Sequence, residues 1–233
     1  MFGAEMSKRV IVLASGPLQK DGRFHDFYAG TYVGGHIRME AAVKIAQLHP
    51  ASRLTMVGGY NRTGTPRTGS KVNDMTKFIL EHVPNADVES IYSLPCTRHD
   101  VTATLNTWLL NGEDFSEAGI LTNGYHMDRA IHFAQEAAEQ IYPEKEINFV
   151  PLPAEEILDR SIESIVGERM QEYHARLESE ERGMQDIHAG NYTDSCLTKD
   201  PQAWESVLGD FSNILLAPAE QSRISFPITT PLL

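Results

Sequence analysis

Short runs of apolar, β-branched residues alternate with segments of helical periodicity along the first 152 residues. The runs are residues 9–14, 53–57, 88–94, 117–122 and 146–152. Such runs are typical of strands buried on both faces, and their alternation with helices favours right-handed crossovers between parallel strands. The sequence therefore predicts an α/β fold, with a doubly wound, mainly parallel five-stranded Rossmann-like sheet and a helical C-terminal extension.

The fourth run ends abruptly at a turn crowded with polar side chains. Asn123 and Gly124 form the turn, and Tyr125, His126, Asp128 and Arg129 follow it. Ligands of open α/β sheets bind at the carboxyl ends of the strands, beside the N-termini of the following helices. His126 and Asp128 are therefore catalytic candidates, and Asn123 and Arg129 are ligand-binding candidates. The alternative is structural: Asp128 stabilises the first helical turn, and Arg129 pairs with a surface acid.

Small residues and an arginine accompany the first two strands. Gly16 follows the first strand, and Gly58 and Gly59 follow the second, where glycine lets the backbone approach a ligand. Arg38 lies in the first turn of the helix predicted at residues 37–48, where a cation opposes the helix dipole and requires a nearby anion. These four residues are further ligand-binding candidates.

The loop at residues 60–71 is basic and contains no acidic residue. Arg62, Arg67 and Lys71 make it a candidate clamp for phosphate, sulfate or carboxylate, and the alternative is a solvated surface loop. Residues 64–71 spell a P-loop with its last two residues exchanged. Because the lysine and the hydroxyl would then occupy each other's positions, this segment does not predict a nucleotide-binding P-loop.

A third strand-end loop, residues 95–100, contains Cys96, His99 and Asp100. These residues lack the spaced partners of a zinc motif, so no metal site is predicted. Asp100 or Thr102 is expected to cap a helix at residues 101–110. Asn106, near the second turn of this helix, is a further ligand-binding candidate that would orient a polar edge of the ligand.

The chain changes character after residue 152, which divides it into an α/β domain, 1–152, and an acidic extension, 153–233. The extension holds 15 acidic residues against 6 basic ones. Residues 154–190 are predicted to form one long polar helix, broken near Gly167 or Gly183. Its apolar stripe, which includes Tyr173 and Leu177, must pack on the core or on a partner chain, and a second copy would give a homodimer.

Composition narrows the class of protein. A net charge of -12 argues against non-specific nucleic-acid binding, and no apolar stretch is long enough to span a bilayer. Cys96 and Cys196 are too few for a disulfide framework, and the apolar run near the N-terminus is too short for a signal peptide. We therefore expect a cytoplasmic protein with no membrane or nucleic-acid partner.

Several of these features together resemble the YdcF-like family, a Rossmann-like domain of unknown function related to the SanA and ElyC envelope proteins. The similarity covers roughly residues 9–152. It lies in a first strand that ends in small residues, an arginine that opens the next helix, a Gly-Gly after the second strand, an asparagine in the third helix, and a His-Met-x-Arg-Ala turn. Here these are residues 9–16, Arg38, Gly58 with Gly59, Asn106, and residues 126–130.

The resemblance implies a small-molecule site at the strand ends, with S-adenosylmethionine or a related adenosyl compound as the ligand. The chain departs from the family in having Leu105 where relatives have Glu, Asp128 where many have Pro, and no Glu shortly after the Gly-Gly. Loss of two acids, together with the added basic residues of the 60–71 loop, indicates a more anionic ligand than the family norm.

Two functions fit these residues. In the first, the chain binds a small anionic, nucleotide-like ligand and is a hydrolase or transferase with His126 as acid or base, because the unperturbed imidazole titrates near neutrality. In the second, it is a non-catalytic metabolite-sensing or scaffold protein that acts through its C-terminal extension.

Overall fold

A five-stranded, all-parallel sheet forms the centre of the molecule. The computed structural model describes residues 9–13, 27–28, 31–32, 34–59, 71–93 and 96–192. The sheet strands are β1 (Arg9–Leu13), β4 (Arg53–Gly59), β5 (Asp87–Ser93), β6 (Glu117–Thr122) and β7 (Asn148–Pro153). Their order is β5-β4-β1-β6-β7, which is the doubly wound Rossmann-like topology predicted from the sequence. Two further strands, β2 (Phe27–Tyr28) and β3 (Thr31–Tyr32), pair as a small antiparallel ribbon.

Helices cover both faces of the sheet. The helices that connect the strands are α1 (Gly35–Leu48), α2 (Lys71–His82), α3 (Thr97–Leu110) and α4 (Met127–Ile141). Side chains of β1 alternate between the two faces, because successive strand residues point in opposite directions. Val10 and Val12 pack with the α1 and α2 side, whereas Ile11 and Leu13 pack with the α3 and α4 side.

The extension begins with short helices and ends in a long one. It contains α5 (Ala154–Ile157), α6 (Ile162–Val166), a 3-10 turn (Gly167–Arg169) and α7 (Met170–His188). The expectation of a single helix from residue 154 was therefore wrong at its N-terminal end. The break near Gly167 is confirmed, and α7 continues through Gly183.

The extension packs on the core as far as it is described. Ala154, Ile157 and Val166 are buried in the apolar cluster that also contains α1 and α2. Tyr173 and Leu177 are half-buried against the same cluster. Helix α7 has one fully buried residue, Glu180, which is a carboxylate.

Helix α3 starts four residues earlier than expected. Its N-cap is Cys96, so the predicted caps Asp100 and Thr102 lie inside the helix. The error arose because residues 97–100 are polar or charged and carry no apolar periodicity. The earlier start places Thr97 at the first turn of the helix, beside the carboxyl end of β5.

Helices that could cross a bilayer are not found within the described ranges.

Candidate functional site

The carboxyl ends of β1 and β6 lie side by side, where the strand order reverses. Ligands of doubly wound sheets bind in the crevice outside such a switch point. Arg38 spans this position from the first turn of α1 and is buried, with 4% of its surface exposed. Its Nη1 donates to the carbonyl oxygen of Leu13 (3.1 Å), and its Nε donates to Oδ1 of Asn123 (2.5 Å). The guanidinium group therefore joins the ends of both strands.

Asn123 also contacts the extension. Its Nδ2 donates to Oε1 of Glu155 (3.0 Å), and the backbone N–H of Gly124 donates to Oε2 of the same carboxylate (2.9 Å). Asn123 is fully buried, and Glu155 is 4% exposed. Buried charges are tolerated when they are paired and hydrogen-bonded, and this chain of contacts connects the Arg38 cation to an acid. Arg38 is thus linked through the amide of Asn123 to a carboxylate of α5.

Gly34 makes room for this chain of contacts. It precedes α1 with φ +60°, a left-handed conformation that favours glycine. A Cβ atom built on Gly34 would overlap the side chain of Asn123. Any other residue at position 34 would therefore add both left-handed backbone strain and a clash with Asn123.

His126 lies on the next turn, between a hydroxyl and a carboxylate. Its Nε2 is 2.9 Å from Oγ1 of Thr97, and its Nδ1 is 3.0 Å from Oε2 of Glu180. A carboxylate only accepts hydrogen bonds, whereas Nη2 of Arg129, 3.2 Å from the same Nδ1, only donates. The contact with Glu180 is the shorter of the two, and Nη2 has its own acceptor in Oε1 of Glu180, so the imidazole proton lies on Nδ1. In the neutral ring, Nε2 is then an acceptor for the Thr97 hydroxyl.

Glu180 also pairs with two arginines. Its Oε1 accepts from Nη2 of Arg129 (3.0 Å), and Nε of Arg129 is 2.9 Å from Oε2. Arg176, one turn earlier in α7, places Nη2 3.5 Å from Oε1, and its guanidinium lies over the ring of Tyr125 at 5.7 Å. Helix α7 is therefore held over the strand ends by its carboxylate.

Burial sets the protonation states of this cluster. Desolvation lowers the pKa of His126 to about 4, and the nearby Arg129 and Arg38 cations act in the same direction against the opposing effect of Glu180. Burial alone would raise the pKa of Glu180, but its hydrogen bond with His126 and the charges around it outweigh burial and lower that pKa. At neutral pH the site therefore contains a neutral imidazole and an ionised carboxylate.

The structure brings four of the predicted site residues together: Arg38, Asn123, His126 and Arg129. Asp128 is exposed on the first turn of α4, and the carboxylate at His126 is Glu180 instead. Asn106 is partly exposed, nine residues along α3 from Thr97, which is roughly 14 Å at 1.5 Å per residue.

The remaining predicted residues are glycines and loop cations. Gly58 and Gly59 belong to β4 itself, paired with Tyr92 and Ser93, and Gly58 has φ +135°. Gly16, Arg62 and Arg67 lie outside the described residues.

Three residues of the site were missed by sequence reasoning: Thr97, Glu155 and Glu180. A signal for Glu180 was present, because it follows Tyr173 and Leu177 at helical spacing and so places an acid on an apolar stripe. Glu155 lies two residues after the last strand, and its local sequence does not distinguish it from the other acids of the extension. Thr97 was assigned to a loop.

The chain is a doubly wound α/β protein with a polar cluster at the switch point of its sheet. This cluster consists of Arg38, Asn123, His126, Arg129, Glu155 and Glu180. Over the described ranges, no group of three or more His, Cys, Asp and Glu side chains is placed to hold a metal ion. Neither a protein-family model, nor a curated protein, nor a solved structure matches this chain.

Proposed function

We propose that this chain is a YdcF-like protein that binds a small anionic, nucleotide-like ligand at the switch point between β1 and β6. The carrying observation is the contact network that links Arg38 through Asn123 to the turn bearing His126 and Arg129. Two of the motifs behind the resemblance, Arg38 and the His-Met-x-Arg-Ala turn, meet there. S-adenosylmethionine and phosphorylated compounds are the ligand classes that the resemblance and the basic residues favour.

The charge balance of the cluster supports an anionic ligand. Within the described residues, the two cations of Arg129 and Arg176 surround the single carboxylate of Glu180. Bidentate guanidinium groups are well suited to carboxylate and phosphate, and a buried setting strengthens such contacts. A ligand anion that shares Arg129 with Glu180 would restore the balance and leave the carboxylate on His126.

His126 is the proposed acid or base of a hydrolase or group transferase. A neutral imidazole with a fixed tautomer presents a lone pair at Nε2, so at neutral pH it acts first as a proton acceptor. The Glu180 contact keeps the ring in this orientation, which a freely rotating histidine would not maintain.

The alternative is a non-catalytic metabolite-sensing or scaffold protein that acts through its extension. One observation favours it: Glu180 of the extension already occupies the basic cluster. A ligand that displaces this carboxylate would change how α7 is docked, and a partner could detect that change. A homodimer formed through the extension belongs to this alternative.

A thermal-shift titration tests the ligand proposal. Full-length protein is titrated with S-adenosylmethionine, nucleotides and nucleotide sugars, and each melting temperature is compared with that of the same variant without ligand. We expect a stabilising ligand whose effect is lost in Arg129→Ala. It should persist in Arg160→Ala, which removes an arginine of the extension that pairs with Glu40 at the surface.

Native mass spectrometry of the same samples separates the two functions. A monomer with a ligand-dependent melting temperature supports the binding proposal. A stable dimer whose melting temperature responds to none of these compounds contradicts it and favours the scaffold alternative.

A further inference from the structure

We propose that Thr97, His126 and Glu180 form a hydroxyl–imidazole–carboxylate relay that attacks carboxylic esters, with Thr97 as the nucleophile. This inference lies at the site of the proposed function but does not depend on the identity of the anionic ligand. It adds a named nucleophile and assigns the substrate to the class of acyl esters.

The geometry is that of a general-base relay. A nucleophile within hydrogen-bond distance of a base, and a base oriented by a third group, is the arrangement by which hydroxyl nucleophiles are activated. Here Oγ1 of Thr97 is 2.9 Å from Nε2, and Oε2 of Glu180 is 3.0 Å from Nδ1, on the opposite side of the same ring. The tautomer required by the carboxylate leaves Nε2 able to accept the hydroxyl proton.

Thr97 differs from the other threonine hydroxyls of α3. Thr102, Thr104 and Thr107 each donate to the carbonyl oxygen four residues earlier, at 2.7, 2.9 and 2.8 Å. This back-bonding is the usual role of threonine inside a helix. Thr97 is the first helical residue, has no such carbonyl within its own helix, and is directed at His126 instead.

The position of Thr97 suits a nucleophile. It is partly exposed, whereas His126 and Glu180 are buried at 7% and 4%. Thr97 is therefore the solvent-side member of the relay, and the base and its carboxylate stay shielded from water. Thr97 also lies at the positive end of the 14-residue helix α3, which favours negative charge developing on Oγ1.

The reaction balances without any further reagent. Oγ1 of Thr97 bonds to the ester carbonyl carbon while its proton moves to Nε2, and Glu180 stabilises the resulting imidazolium through Nδ1–H. The C–O bond to the alcohol then breaks, and Nε2 returns the proton to the departing oxygen, leaving acyl-Thr97. Water, deprotonated by the same nitrogen, releases the carboxylic acid and restores the hydroxyl.

The relay gives the extension a role in the chemistry. Glu180 belongs to α7, whereas Thr97 and His126 belong to the α/β core. The imidazole is therefore correctly oriented only when α7 is docked through Arg129 and Arg176. Glu180 is a positioning residue in this scheme, because it acts through His126.

A fluorophosphonate probe tests the relay directly. Attack forms an Oγ1–P bond and breaks the P–F bond, fluoride leaves, and the hydroxyl proton passes to Nε2. Full-length protein is treated with the probe, its intact mass is followed over time, and the labelled residue is mapped in peptides. We expect one adduct, on Thr97, at a rate that rises as His126 loses its proton, with a midpoint near pH 4 instead of near 6.5.

Matched variants identify the contribution of each group. Thr97→Val keeps the shape without the hydroxyl and should abolish labelling, whereas Thr107→Val, on the same helix, should leave the rate within about twofold of the parent. His126→Asn should slow labelling roughly a hundredfold or more. Glu180→Gln should slow it roughly tenfold or more, and Glu180→Asp should recover part of that loss.

Several results would overturn the relay. They are a folded parent that takes up no probe, an adduct on another residue, or an unchanged rate in Thr97→Val. Circular dichroism checks that each variant folds, and Thr97→Ser, which retains a hydroxyl, should still be labelled. Ligand stabilisation without labelling would leave the binding proposal standing and reject the relay, and labelling without any ligand shift would do the reverse.

Discussion

Acid should destabilise this fold through His126 before it acts on the carboxylates. Burial lowers the pKa of His126 to about 4 in the folded chain, against 6.5 for an unperturbed imidazole. Between these values the unfolded chain binds a proton that the folded chain does not. The stabilisation is therefore complete above pH 6.5 and is lost as the pH falls towards 4.

The two pKa values give the size of the effect. A full separation of two and a half pH units corresponds to roughly 3 kcal/mol, of which about 2 kcal/mol is lost between pH 7 and pH 5. Glu180 adds to this loss only at lower pH, because its pKa is lowered from 4.5 and its stabilisation disappears as it protonates. The window from pH 7 to pH 5 therefore reports chiefly on His126.

Urea unfolding followed by far-UV circular dichroism at pH 7 and pH 5 measures this difference. His126→Asn should be less stable than the parent at pH 7, but its free energy of unfolding should fall less between the two pH values, by about 2 kcal/mol. His82→Asn removes an exposed histidine at the end of α2 and should keep the parental pH dependence. An unchanged pH dependence in His126→Asn would refute the argument that a buried neutral imidazole is part of this site.

Three further substitutions test the contacts around Asn123 and Glu180, each by urea unfolding at pH 7. Gly34→Ala should lower the free energy of unfolding by about 3 kcal/mol, because it adds a clash with Asn123 to left-handed backbone strain. Gly112→Ala adds only the strain, since Gly112 has φ +67° and nothing within 4 Å of a Cβ atom, and should lower it by about 1 kcal/mol. Equal losses in the two variants would contradict the clash. Arg129→Ala should lower the free energy of unfolding by about 2 kcal/mol, because the buried Glu180 keeps only its longer ion pair with Arg176. A loss below about 1 kcal/mol would contradict the pairing of Arg129 with Glu180. Glu155→Gln should lower the free energy of unfolding by about 1 kcal/mol, because the single amide oxygen can accept from only one of the two donors, Asn123 Nδ2 and the Gly124 N–H. An unchanged free energy of unfolding would argue against both contacts.

The sheet was predictable because its strands are short, β-branched and bounded by turn residues. The strand at residues 117–122 was placed at its observed bounds, and the other four were placed within two residues of theirs. A strand buried on both faces needs apolar side chains at every position, and that requirement is visible locally. The start of α3 was not visible in the same way, because its first turn contains only polar and charged residues.

The polar cluster was only half predictable, for a physical reason. Arg38, Asn123, His126 and Arg129 were found because each lies near the end of a strand or the start of a helix, where local sequence predicts a ligand-facing position. Their partners contact them across long intervals of sequence: 32 residues separate Asn123 from Glu155, and 54 separate His126 from Glu180. Those pairings depend on how the extension folds back, which periodicity does not specify.

The division of charge between core and extension gives α7 a reason to dock where it does. The core carries buried or half-buried cations at its strand ends, and burying them without partners would be costly. Glu180, which pairs with Arg129, and Glu155, which is linked to Arg38 through the amide of Asn123, both come from beyond residue 152. Apolar contacts along the stripe of α7 are only half-buried, so they do not by themselves fix its position on the sheet. The carboxylates therefore determine the register of the extension, and any anion that competes for the same arginines acts on that register as well as on the site.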